Sequence, residues 1–218
     1  MLRLRTVGDR LPAGALDQVR ARLAADGLIA YPTETLYGLG CDPRRPVAVA
    51  RLLRAKGRSD GKPLPLIAAS AAEARRLLRL DEGETDLFEA LARTFWPGPL
   101  TLIAAAAASA DRPAAGVAAA DDSLALRVSS NPIAVGVAAA GGGAIVSTSA
   151  NPAGAPPPDR PEAIDAGLLA LVDLLVDGGP TTGGLPSTVV DLRGGTVQLR
   201  RPGAIAWDQV LEALSARR

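Results

Sequence analysis

Between Ala30 and Asp42 the chain reads AYPTETLYGLGCD, and within five residues Thr33, Glu34, Thr35 and Tyr37 present three hydroxyls and a carboxylate. Hydroxyls both donate and accept, so such a cluster can hold the polar end of a small substrate or a phosphate oxygen without adding charge. Cationic charge lies further on. Lys56 and Lys62 are the sole lysines among 24 basic residues, and both fall in the loop Lys56-Gly-Arg-Ser-Asp-Gly-Lys-Pro63, with Arg58 between them. A chain that otherwise uses arginine would place a compact ammonium where a phosphate or carboxylate sits in a tight space. Chance placement in a solvated loop is the plain alternative.

Three further stretches carry polar groups at the ends of apolar runs. Ser147-Thr-Ser-Ala-Asn151 follows Ala144-Ile-Val146, and its hydroxyls and amide offer uncharged donors for phosphate oxygens. The same residue types also cap helices and form turns. Arg127 lies inside Leu124-Ala-Leu-Arg-Val128. A guanidinium in a strand must face water or a partner, because burying it unpaired is costly. Two readings stand for Arg127, a bidentate clamp on a substrate carboxylate and a structural salt bridge. Ser187-Thr188 opens another strand behind Gly183-Gly-Leu-Pro, and Arg200-Arg201-Pro-Gly203 closes the last one with two cations and a turn.

What is missing narrows the chemistry. The chain has no histidine, which removes Ser-His-Asp and Cys-His catalysis, imidazole acid–base work and His-ligated metals. Its single cysteine, Cys41, excludes disulfide frameworks and Cys-type zinc sites, and reads as a small buried apolar residue. Gly57 to Pro63 is one residue short of a P-loop and has proline where Ser or Thr must hold the metal. Gly38-Leu-Gly40 lacks the third glycine of a dinucleotide fingerprint. The remaining inventory binds and orients an anionic substrate and a nucleotide, with electrostatic stabilisation of phosphoryl or nucleotidyl transfer.

These groups need a scaffold. A chain of 218 residues with 48% hydrophobic but only 3% aromatic content supports one good-sized domain, its core built from Ala, Val and Leu. A net charge of +1 gives no global case for a nucleic-acid or membrane partner, though a local basic patch could bind RNA. The N-terminus lacks a signal-peptide apolar region and no run is long enough to span a bilayer, so a cytoplasmic location is expected. Apolar runs predict strands at Leu2 to Val7, Gly27 to Ala30, Leu64 to Ala68, Leu100 to Ala106, Leu124 to Val128, Ala144 to Ser147, Leu171 to Val176, Ser187 to Leu192 and Thr196 to Arg200. Helices are expected over Ala15 to Ala25, Pro46 to Ala55, Ala71 to Leu80, Glu84 to Phe95, Ile133 to Ala140 and Trp207 to Ala216. Gly38 and Gly40 are read as a sharp turn or a close approach to ligand. Without strict alternation, the expected fold is α/β: a twisted, mixed sheet with flanking helices.

The motifs taken together resemble a known family. Tyr31-Pro-Thr-Glu-Thr-Leu-Tyr-Gly-Leu-Gly40, Lys56-Gly-Arg58 with Lys62-Pro-Leu64, Trp96-Pro-Gly-Pro-Leu-Thr-Leu102, Arg127-Val128, Ser147-Thr-Ser-Ala-Asn151, Pro186-Ser-Thr-Val-Val-Asp191 and Arg201-Pro-Gly203 occur in the order seen in the YrdC/Sua5 family. The resemblance runs from about Leu28 to Gly203, and implies a single YrdC-like domain over 1–218 without the C-terminal Sua5 domain, its sheet wrapped around a concave basic cleft. It further implies synthesis of threonylcarbamoyl-AMP and pyrophosphate from L-threonine, bicarbonate and ATP, for the threonylcarbamoyl modification of tRNA adenosine by a downstream transferase complex. By resemblance Thr33, Thr35, Arg127 and Ser187 hold threonine, while Lys56, Arg58, Ser147, Ser149, Asn151 and Arg201 hold ATP, with Lys56 and Arg58 as the catalytic pair. Mg2+ would ride on the phosphates rather than in a protein cage. The alternative within the family is an RNA-binding or ribosome-associated paralogue without synthase activity. The chain departs from the pattern in two places: where family members often show Arg-x-Pro-x-His, it has Arg127-Val-Ser-Ser-Asn131, and where many carry a histidine shortly after the Pro-Leu of the lysine loop, it has Ile67-Ala68.

Overall fold

The computed structural model describes residues 1–6, 8, 11–57, 63–108 and 112–215. The first half of the described chain forms β1 (Leu2–Arg5), α1 (Ala15–Ala24), β2 (Ile29–Pro32), β3 (Tyr37–Gly40), α2 (Pro46–Ala55), β4 (Leu66–Ala68), α3 (Ala71–Arg76), β5 (Leu78–Arg79), α4 (Glu82–Phe95) and β6 (Leu100–Ala106). The second half forms β7 (Ser123–Arg127), α5 (Pro132–Ala140), β8 (Ala144–Val146), β9 (Thr148–Ser149), α6 (Ala166–Ala170), β10 (Leu174–Asp177), β11 (Thr188–Asp191), β12 (Gln198–Arg201) and α7 (Trp207–Ser215).

The strands make two mixed sheets among the described residues. One runs β1-β10-β2-β3-β9; the other runs β12-β11-β6-β7-β4-β8, with β5 added beside β6. Parallel pairs (β1 with β10, β6 with β11, β4 with β7) sit next to antiparallel ones (β2 with β3, β6 with β7, β4 with β8), as expected for a mixed α/β fold. The stretch 144–149 joins the sheets, since β8 pairs with β4 in one and β9 with β3 in the other. Ser147 lies at that joint, its N–H donating to the Pro65 carbonyl at 2.8 Å while the neighbouring Val146 N–H reaches Cys41 O at 3.0 Å.

Period-two alternation decides which face each residue takes. Ala30, Leu66, Ala68, Ala144 and Val146 enter the main core with Leu52, Leu91, Leu100, Leu102 and Leu126. Their neighbours Ile29, Tyr31, Ile67 and Ile145 point the other way, into a second core with Val19, Leu23 and Val137 of α1 and α5. Phe88 and Trp96 supply the aromatic contact the main core has, edge to face with centroids 5.5 Å apart. Cys41 is fully buried, as read from the sequence.

Several boundaries differ from expectation for local physical reasons. The helix expected to run to Leu80 stops at Arg76, because buried Leu78 and exposed Arg79 pair with Ala106 and Ala105 on β6. α4 begins two residues early, at Glu82, where Asp81 and Glu84 form a capping box. The strand expected from Leu171 starts at Leu174, and the short α6, capped by the Asp165 side chain on Leu168 N–H, was not foreseen.

Gly38 and Gly40 are strand residues, not a turn. Both have ordinary extended backbone, and what demands glycine is a neighbouring chain: a Cβ on Gly40 would sit 2.3 Å from Val146 O and 3.0 Å from Ile145 Cδ1. Gly40→Ala should therefore cost about 3 kcal/mol by overpacking a rigid sheet seam, read as a lower urea midpoint at unchanged slope.

A carboxylate–arginine network fixes the β11–β12 end. Buried Asp191 takes Nε and Nη2 of Arg193 at 2.9 and 2.7 Å and Nη2 of Arg200 at 2.8 Å, and Arg193 Nη1 reaches Asp121 at 2.6 Å. Burial alone would raise the Asp191 carboxyl, but Arg193 and Arg200 outweigh it and hold the carboxyl below its ordinary value. Arg193, then Ser123, hold Asp121 at about 2. Depressed folded values give stability that is present above the unfolded value of 3.8 and is lost as pH falls towards 2. The urea midpoint should drop across that window, and Asp191→Asn should flatten the drop while lowering the midpoint at neutral pH.

Candidate active site

A cleft of about 570 Å³ opens beside the sheet joint, within the size range of small-molecule sites. It is walled by the β2–β3 turn, the segment leading into β4, one face of β6 and β7, the 147–149 joint, and the residues around Pro186 and Arg201. Alternation aims the side chains: Leu100, Leu102, Leu124 and Leu126 go to the core, while Thr101, Ile103, Ala125 and Arg127 face the cleft.

Of the residues singled out in the sequence, Thr33, Thr35, Arg127, Ser147, Ser149, Ser187 and Arg201 all line this one cleft. Thr33 Oγ1 donates to Leu36 O at 2.7 Å and accepts from the N–H groups of Thr35 and Leu36, so it also folds the turn it stands on. That turn is strapped from outside. Thr181 Oγ1 donates to Thr35 O at 2.6 Å, Thr182 Oγ1 donates to Glu34 O, and Tyr37 Oη donates to Gly179 O at 2.7 Å. Ser187 Oγ lies 2.8 Å from Thr101 Oγ1, and Arg201 Nη2 donates to Ser187 O at 2.8 Å and Oγ at 3.1 Å. Burial, then the positive charge of Arg127, lowers the Arg201 guanidinium from its ordinary value. Two cations whose fields meet across a pocket favour an anion between them.

Lys56 and Asn151 are adjacent to the cleft but do not line it. Lys56 is 4% exposed and its ammonium turns inward, donating to Ser149 O at 2.6 Å, to Asn151 O, and to Asn151 Oδ1 at 3.2 Å. Asn151 Nδ2 in turn donates to Pro152 O at 3.0 Å. A compact three-donor ammonium suits this ring of oxygens, where a planar fork would not. Arg58 and Lys62 lie outside the described residues.

Arg127 lines the cleft, and the salt bridge read as one of its two roles is present. Its Nη1 contacts Glu34 Oε1, and the other carboxylate oxygen of Glu34 accepts from Ser129 Oγ. Asn131, at the place of the family's frequent histidine, donates Nδ2 to Thr33 O at 3.2 Å, and its Oδ1 caps α5. Sequence reasoning did not find the pairing of Arg127 with Glu34 or of Glu34 with Ser129, and Thr101 was not singled out for the lining. The alternation Leu100-Thr101-Leu102 held the signal for Thr101. None held the Glu34–Arg127 pair, which is 93 residues apart.

The lining among the described residues contains no carboxylate, and no group of three His, Cys, Asp or Glu able to hold a metal ion occurs among them. Among the described residues the lining combines hydroxyls and two guanidiniums with apolar side chains such as Pro65, Ile103 and Val189.

The family profile described as "Telomere recombination", of Sua5, YciO and YrdC proteins, matches residues 21–203. The chain belongs to the Sua5/YciO/YrdC family. Within it, the chain is 40% identical over 182 residues to a threonylcarbamoyl-AMP synthase of Xanthomonas euvesicatoria pv. vesicatoria, covering 84% of this chain and 95% of the relative. It is 34% identical over 193 residues to the threonylcarbamoyl-AMP synthase of Bacillus subtilis, covering 88% of this chain and 54% of that longer protein. The fold matches the crystal structure of P. abyssi Sua5 complexed with L-threonine, with a TM-score of 0.86 and 29% identity over 98% of this chain and 60% of that one. Escherichia coli YciO matches with a TM-score of 0.80 at 27% identity, covering 94% of this chain and 96% of that one. Family membership accounts for the order of the motifs along the chain, which distance along the sequence alone does not explain. No helix among the described residues is long and apolar enough to cross a membrane.

Proposed function

We infer that this chain is a threonylcarbamoyl-AMP synthase, a nucleotidyltransferase that converts L-threonine, bicarbonate and ATP to threonylcarbamoyl-AMP, pyrophosphate and water. The observation that carries this reading is the convergence of Thr33, Thr35, Arg127, Ser147, Ser149, Ser187 and Arg201 on one cleft whose described lining has no acid. In the proposed reaction the threonine amine attacks the bicarbonate carbon, and water leaves to give a carbamate. A carbamate oxygen then attacks the α-phosphorus of ATP, and the P–O bond to pyrophosphate breaks.

Arg127 takes the threonine carboxylate, with the Thr33, Thr35 and Ser187 hydroxyls around the amino acid. Ser147, Ser149 and Arg201 hold the nucleotide phosphates. The acid-free lining suits the magnesium–ATP complex as substrate, since it offers a bare cation nothing and the polyphosphate many donors. With no histidine in the chain, rate enhancement comes from alignment and from cations placed where charge moves to the leaving pyrophosphate. The Lys56 ammonium contributes by folding the 149–151 turn that carries Ser149. The product is an activated adenylate, to be consumed by a transferase that moves the threonylcarbamoyl group onto a tRNA adenosine.

Pyrophosphate release tests the reading. Release that needs ATP, magnesium, threonine and bicarbonate together supports it, with serine and glycine as weak substitutes. A folded protein that binds RNA and releases no pyrophosphate would favour the paralogue instead.

A further inference from the structure

We propose that Glu34 is a positioning residue for amino-acid recognition: by occupying Nη1 of Arg127 it presents the Nε–Nη2 edge of the guanidinium to the substrate carboxylate. The proposal rests on the synthase reading and goes beyond it, because Glu34 is not among the residues that line the cleft.

An arginine has two forked edges, and in this protein carboxylates repeatedly take the one formed by Nε and Nη2. Arg3 offers that edge to Asp177 at 3.0 and 2.8 Å, Arg44 offers it to Asp42 at 3.0 and 2.9 Å, and Arg193 offers it to Asp191 at 2.9 and 2.7 Å. Arg127 is different. Its contact with Glu34 uses Nη1, and its Nε and Nη2 have no hydrogen-bond partner among the described residues. No buried side-chain nitrogen or oxygen lacks a partner among those residues, so these two donors are not shut away inside the protein, and the side chain that carries them lines the cleft.

Glu34 is itself held from several sides. Ser129 Oγ donates to its second oxygen, Thr182 Oγ1 donates to its carbonyl, and Asn131 Nδ2 fastens the preceding Thr33 carbonyl at 3.2 Å. A carboxylate fixed in this way fixes the rotation of the guanidinium it touches. The bidentate edge is thereby aimed before substrate arrives, which reduces the ordering cost of binding.

The test is calorimetric binding of L-threonine and of L-threoninol, which lacks the carboxylate, to wild type, Glu34→Ala, Glu34→Gln, Glu34→Asp and Ser129→Ala, alongside KM values from pyrophosphate release. Glu34→Ala should weaken threonine binding at least tenfold, leave threoninol affinity within twofold, and leave the KM for ATP unchanged. Glu34→Gln, which keeps an acceptor at the same reach, should return to within about threefold of wild type. Glu34→Asp, one methylene short, should behave like alanine, and Ser129→Ala should weaken threonine binding about threefold. If Glu34→Ala does not fold, the Gln–Asp contrast decides in its place. Threonine binding that is unchanged or tighter in these variants overturns the proposal, the tighter case meaning that Glu34 competes with substrate. Wild-type protein that turns over with Glu34-independent binding sinks this proposal alone. Wild-type protein that binds threonine through Glu34 but releases no pyrophosphate sinks the synthase reading and leaves this one standing. A wild type that binds no threonine overturns both.

Discussion

Arg127→Ala is expected to lower kcat/KM for threonine about a thousandfold, and Arg127→Lys about a hundredfold. Losing a bidentate, charge-assisted contact in a partly enclosed pocket corresponds to about 4 kcal/mol of transition-state binding, since each tenfold is about 1.4 kcal/mol. Lysine keeps the charge but not the fork, so it can still pair with Glu34 while meeting the substrate carboxylate at a single point. The alanine variant has a second consequence. It leaves the Glu34 carboxylate, 13% exposed, beside Ser129 without its cation, so the protein should also unfold at lower urea than wild type. The lysine variant separates the two effects, keeping most of the stability while losing most of the activity. Steady-state kinetics over a threonine titration, with urea unfolding on the same preparations, checks both. Wild-type kinetics in Arg127→Lys would assign Arg127 to the salt bridge alone.

Lys56→Ala should reduce turnover at least a hundredfold and also destabilise the substrate-free protein by about 3 kcal/mol. The stability loss follows from geometry. The ammonium is bonded to Ser149 O, Asn151 O and Asn151 Oδ1, and its removal leaves these oxygens, those of Asn151 in buried contacts, without their donor. Lys56→Met, similar in length and apolar, should be no better, because it fills the space without satisfying the oxygens. The two components are informative together. An ammonium that served only ATP phosphates would leave the apo protein as stable as wild type, and the loss would appear solely as a raised KM for ATP. The structure predicts lowered apo stability and a lower kcat, because the 149–151 turn that carries Ser149 into the cleft loses its internal anchor.

Much of the scaffold was legible because its elements are locally self-consistent. α2 begins at Pro46, which suits a first helical turn, and keeps Val49 and Leu52 on one buried face. β6 is an apolar run from Leu100 to Ala106 bounded by Pro99, and both of its ends were read correctly. β3 was not legible, because glycine at Gly38 and Gly40 carries a turn signal in one dimension and a close-packing signal in three. β5 and β9 are two residues each and exist only through their partners β6 and β3, so nothing local marks them. The site shows the same division. Hydroxyls and cations placed where apolar runs meet polar sequence did reach the cleft from Thr33 to Arg201. The direction in which a long side chain turns was not readable. Lys56 points to oxygens 93 and 95 residues ahead, and Arg127 meets a glutamate 93 residues behind it.

The most direct test of the account is the identity of the product. The purified protein, supplied with ATP, magnesium, L-threonine and 13C-bicarbonate, should form an adenylate whose mass equals threonine plus one carbonyl joined to AMP, shifted by one unit when the bicarbonate is labelled. The label should vanish from the adenylate when threonine is left out. An unlabelled threonyl-AMP, or AMP and ADP with no adenylate, would contradict the proposed carbamate step and with it the synthase assignment.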